Sequence, residues 1–67
     1  MIKGRAETAE AKRKLVAELL SMWLRCPHLR LGQLIDGSTP DDQSVFFVED
    51  AELLENAKLF LRKLNVP

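Results

Sequence analysis

Cys26 and His28 are the only cysteine and the only histidine of the chain, and they flank Pro27. A Cys-x-His pair offers two zinc ligands, but a closed zinc site takes four N or S donors. As nucleophile and base the two would have to meet across a helix-breaking proline, with nothing evident to orient the imidazole. Cys26 reads better as a small buried hydrophobe, and with no second cysteine an internal disulfide is excluded. Carboxylates cluster at Asp36, Asp41, Asp42, Glu49 and Asp50. A Ca²⁺ loop needs ligands at alternate positions around a turn glycine and a closing Glu, and residues 39–50 do not supply them. Glu49 and Asp50 are adjacent, so their side chains diverge instead of working as an acid–base pair. No catalytic residue, metal or cofactor is expected, and the chain does not read as an enzyme.

Binding chemistry remains. Arg30, Gln33, Glu49 and Asp50 are the polar members of two otherwise apolar segments. One reading is a clamp, with Arg30 paired to Glu49 or Asp50; the other is a patch offered to a partner. Trp23 lies in the most apolar stretch beside Met22. It is expected in the core, with its indole N–H seeking an acceptor. If a face stays open, it is the natural anchor for a partner. A helix, a sharp corner and a second helix also suggest a helix-turn-helix, with Arg30 and Gln33 offered to bases. Against nucleic acid stand zero net charge, a pI of about 6.6 and an acidic loop directly after that second helix. A nucleic-acid-binding domain normally presents a basic face.

Three helices are expected to position these groups. The first spans about residues 6–25. Glu10 and Lys14 stand in the favoured i,i+4 order, and Leu15, Leu19, Met22, Trp23 and Cys26 repeat at helical spacing. Val16, Leu20 and Leu24 widen that stripe past half the circumference, so the helix needs cover from two sides, by this chain or by a second copy. Pro27 ends it and opens a short helix, about residues 28–36. There Leu31, Leu34 and Ile35 form the buried edge, and Gly32 suggests a close backbone approach to helix one. The turn-rich residues 36–42 follow, then the strand-like Val45-Phe46-Phe47-Val48. A lone strand has no partner in its own chain, so this run is expected as an extended segment with its phenylalanines in the core. Asp50 reads as the N-cap of a last helix, about residues 51–64, with Arg62 and Lys63 suiting its C-terminal end. Residues 1–5 are expected to be disordered. The whole is an all-α single domain of residues 1–67, with an ordered acidic loop that carries the Phe-Phe segment.

The segment Pro27-His28-Leu29-Arg30-Leu31-Gly32-Gln33-Leu34-Ile35 is followed, ten residues on, by Phe46-Phe47-Val48-Glu49-Asp50-Ala51-Glu52-Leu53-Leu54. This resembles a group of small bacterial and phage-borne proteins that share P-D-L-R-L-G-Q-L-I and then aromatic-V-E-D-x-E-L-L. The resemblance covers about residues 19–61 and departs at His28, where an acidic residue is commoner. That group has no assigned activity, so the resemblance implies a small helical protein of bacteria or mobile elements and no mechanism.

Length and charge bound the rest. Ordering 67 residues costs on the order of 100 kcal/mol at ~1.5 kcal/mol each, so the core has no slack. The formal charge is zero but segregated. Residues 1–14 carry five cationic and two anionic side chains, whereas residues 36–55 carry seven carboxylates and no Lys or Arg. No apolar run approaches the ~20 residues that span a bilayer, and charges occupy the place of a signal peptide's apolar core. A cytoplasmic protein without a membrane partner is expected. The leading functional expectation is an interaction module that binds another protein or itself, as a homodimer, through Leu20, Trp23 and Leu24. A small nucleic-acid-binding regulator is the alternative.

Overall fold

The computed structural model describes residues 4–64. The fold is all-α. The first helix, α1 (Ala9–Leu24), starts at Thr8, whose hydroxyl accepts a hydrogen bond from the Ala11 N–H at 3.0 Å. That cap satisfies one of the otherwise unpaired first-turn donors and sets the start three residues later than the alanine-rich composition suggests. The helix stops before Pro27 as expected, with the Cys26 N–H closing on the Trp23 carbonyl.

The second helix, α2 (Leu31–Gly37), does not start at Pro27. Residues 27–28 form a turn, and Arg30 is the N-cap, in an extended conformation. The Arg30 N–H donates to Gln33 Oε1 at 2.8 Å. This is the glutamine half of a capping box. A side-chain acceptor three residues into the helix thus fixes its start more firmly than proline does.

The last helix, α3 (Asp50–Lys63), has Glu49 rather than Asp50 at its N-cap. Its acidic first turn and basic last turn complement the helix dipole. It is the central element, since α1 packs on it from one side and α2 from another. Between α2 and α3, Val45–Phe47 forms a 3-10 turn capped by Ser44, whose Oγ accepts from the Phe46 N–H. The segment is not extended, and its phenylalanines are not in the core: Phe46 is 84% and Phe47 70% exposed.

The core is one cluster of Met22, Cys26, Leu34, Ala57 and Leu61. Leu19, Trp23, Leu29, Leu54 and Phe60 pack around it half-buried. Of the edge expected on α2, Leu34 is fully buried while Leu31 is exposed and Ile35 half-buried. Ser38 is buried too, and its hydroxyl donates to the Leu34 carbonyl at 2.6 Å. No buried side-chain N or O among the described residues lacks a partner.

Residues 1–3 of the segment expected to be disordered lie outside the described residues, as does the end of the chain after Leu64. Gly4 and Arg5 are fixed instead. The Gly4 carbonyl accepts from the Ala51 N–H at 2.8 Å, and Asp50 Oδ2 accepts from the Ala6 N–H at 2.8 Å. Residues 4–6 therefore run as a strap over the start of α3. Gly4 has φ +85°, a conformation in which side chains other than glycine are strained.

The two glycines of α2 differ in kind. A Cβ on Gly32 would meet nothing within 4 Å, so no close approach to α1 explains it. A Cβ on Gly37 would lie 2.5 Å from the Phe60 ring. Gly32→Ala should therefore stabilise the fold by up to about 1 kcal/mol through helix propensity. Gly37→Ala should destabilise it by about 1 kcal/mol or more, because the half-buried ring must move. Urea denaturation of both variants checks the opposite signs, and a Phe60→Leu background should remove the Gly37→Ala penalty.

Candidate functional site

The wide apolar face of α1 divides in two. Leu15, Leu19, Met22 and Cys26 turn inward, buried or half-buried. Trp23 goes with them: it packs half-buried against the core, and its indole Nε1–H donates to the Leu29 carbonyl. That bond ties the end of α1 to the connection leading into α2. Trp23 is therefore partly used up internally. The rest of the expected surface stays in water, with Val16 60%, Leu20 47% and Leu24 71% exposed. These three stand at i, i+4 and i+8, so they are neighbours on one helical ridge about 12 Å long at 1.5 Å per residue. Lys12 and Arg13 border its N-terminal end, where they line a shallow hollow with Val16 and Ala17.

A second apolar surface is one that sequence reasoning missed. The rings of Phe46 and Phe47 pack edge to face, with centroids 5.0 Å apart and planes at 78°. This is a favourable aromatic geometry held out in solvent. Beside them Val45 closes a hollow with Leu31, Gly32 and Ile35, and Asp36 lines it as well. Asp41 and Asp42, both exposed, precede this surface in the chain. A signal was available: neighbouring residues on a strand point to opposite faces, so two adjacent phenylalanines could not both have entered one core.

The four polar candidates do not form one site. Gln33 uses its amide oxygen on the Arg30 N–H. Glu49 does not pair with Arg30, for it takes Arg5, with Nε–Oε2 at 2.9 Å and Nη2–Oε1 at 2.5 Å. Asp50 takes the Ala6 N–H. The expected clamp between α2 and α3 is thus replaced by one between the N-terminal strap and α3. A fork-to-fork pairing of guanidinium and carboxylate has the best geometry an ion pair can adopt. The hydrogen bond and the charge of Glu49 together raise the Arg5 pKa above its ordinary value. Both side chains remain partly in water, which screens the pair. No local pattern announces this contact, because its partners lie 44 residues apart.

Cys26 is buried and His28 exposed. Among the described residues no group of three or more His, Cys, Asp or Glu is placed to hold a metal ion. No helix among them is long and apolar enough to cross a membrane. Comparison with protein-family models, with curated proteins and with solved structures finds no match.

The Trp23 bond gives a direct test of how α1 is anchored. Trp23→Phe keeps most of the packing but leaves the Leu29 carbonyl without its donor. The loss should be about 1 kcal/mol, the net worth of one part-buried hydrogen bond, read as a lower urea midpoint. Because Trp23 is the only tryptophan, the intrinsic fluorescence of the unmutated chain reports the same contact as the fold melts.

Proposed function

We propose that this chain is a small protein-interaction module that works through the outer face of α1. The observation that supports this reading is the ridge Val16–Leu20–Leu24, left in water on a helix whose opposite side builds the core. Single exposed leucines are ordinary, but contiguous apolar surface marks a binding face. Lys12 and Arg13 beside the ridge favour a partner with carboxylates around an apolar centre. The resemblance of about residues 19–61 to small bacterial and phage-borne proteins supports a bacterial or mobile-element origin. Of Arg30 and Gln33, the two residues a base-reading helix would use, Gln33 has its amide oxygen engaged at the Arg30 N–H. The exposed acidic residues that follow α2 also oppose contact with a phosphate backbone.

A photo-reactive residue at position 16, introduced in the cell that makes the protein, should give an adduct of raised mass on irradiation. Leu20→Glu should abolish that adduct while leaving the helical circular-dichroism signal and the thermal midpoint nearly unchanged. Absence of any adduct overturns the reading. So does unfolding of Leu20→Glu, since the ridge would then be core.

A further inference from the structure

We propose that the N-terminal strap is an electrostatic latch: residues 4–6 detach from α3 as a unit while the three helices stay folded, and added salt promotes the release. The latch does not depend on what covers the α1 ridge. Three observations carry it.

The first is that the strap stands apart from the core. The buried cluster and the half-buried side chains packed around it come from α1, α2, α3 and the connections next to α2, and none comes from residues 4–6. Arg5 is exposed, and residues 5–7, which lead from the strap towards α1, lie in neither helix nor strand. Parting the strap from α3 therefore exposes little of the apolar surface that folding buries. An opening of that kind costs far less than unfolding the helices.

The second is that the attachments of the strap are polar. Arg5 pairs with Glu49, Asp50 Oδ2 accepts from the Ala6 N–H, and the Gly4 carbonyl accepts from the Ala51 N–H. Glu7 and Asp50 add their field to that of Glu49 in raising the Arg5 pKa, so one guanidinium serves three carboxylates. Arg5 and Glu49 both stand partly in water, where salt reaches them. The Debye length falls from about 10 Å at 0.1 M to about 3 Å at 1 M, and the attraction fades with it. Apolar burial has no such sensitivity to screening.

The third is the place of the strap. Gly4, Arg5 and Ala6 form one wall of a hollow whose other walls include Ala11 and Leu15 of α1 and Leu54 of α3. Leu15 and Leu54 are half-buried. Release removes that wall and opens the seam between α1 and α3 at these two leucines, so the latch governs access to the seam. Gly4 seats the strap through its φ of +85°, a conformation that glycine enters and leaves without strain.

Amide hydrogen exchange followed by nuclear magnetic resonance tests the latch, because one proton reports it directly. The first helical bond of α3 runs from the Leu53 N–H to the Glu49 carbonyl. The Ala51 N–H thus has no acceptor within α3, and the Gly4 carbonyl is what protects it. This proton should exchange about ten-fold or more faster than the amides of the buried Ala57 and Leu61. Its rate should also depend less steeply on urea, since less surface is exposed. Sodium chloride at about 1 M should speed it further relative to those core amides. Arg5→Gln should speed it about three-fold or more, with the helical circular-dichroism signal retained. The core amides should then quicken by no more than the same factor, because global stability loses only what closure of the strap had supplied. An Ala51 N–H that matches the core amides in rate and urea slope overturns the proposal, since strap and helices would open together. Indifference to either salt or Arg5→Gln overturns it too, because charge would not be the catch. So does exchange at the rate of an unprotected amide, or loss of helix in Arg5→Gln.

Discussion

The fold depends on Leu34, the leucine fully removed from water at the centre of a five-residue core. It lies on a helix of seven residues, too short to persist alone in water. α2 therefore exists because Leu34 is buried against α3, and its two ends are fixed by polar contacts that keep it in register. At the start Gln33 accepts from the Arg30 backbone; at the end the Leu34 carbonyl receives both the N–H and the hydroxyl of Ser38. The buried serine is consistent with this, since its polar atom is satisfied by the same carbonyl that the leucine carries inside. Ala57, also fully buried, gives α3 a small residue within that core, and Gly37 leaves room for the Phe60 ring.

The second constraint is the start of α3. A helix N-terminus presents unpaired N–H groups, and Glu49 contributes no side-chain cap there. The Gly4 carbonyl serves the Ala51 N–H instead, Asp50 receives the Ala6 N–H, and Arg5 pairs with Glu49. A segment distant in sequence thus performs a task usually given to the preceding residue. Glycine at position 4 lets the backbone reach in with positive φ. The strap and the Trp23–Leu29 bond attach α1 to the other helices at its two ends.

Element type was legible in the sequence wherever periodicity ran for three turns or more, as in the apolar repeat of α1 and the capped, charge-biased α3. Boundaries were less so: caps at Thr8 and Arg30 start the first two helices about three residues later than composition suggested, and Glu49 took the cap expected of Asp50. The inward set of α1 was legible, yet the division between its buried side and the ridge Val16–Leu20–Leu24 was not. Leucine has the same hydropathy on either side, and only the placement of α2 and α3 decides which leucines are covered. Arg30 and Arg5 were equally plausible partners for Glu49 by charge; backbone path decided between them. The Phe-Phe run was misjudged because hydropathy was read before geometry.

These outcomes share a cause. A chain this short cannot cover an amphipathic helix from two sides and also enclose two adjacent phenylalanines, since its ratio of surface to volume is too high. Something apolar must stay outside. Among the described residues it comprises the α1 ridge of Val16, Leu20 and Leu24, the Val45–Phe47 turn with Leu31, and Leu59 and Leu64 towards the end of α3. The ion pair Arg5–Glu49 joins the strap to α3 and Lys58–Glu55 lies within α3, so neither covers the exposed apolar side chains of α1 or of the Val45–Phe47 turn.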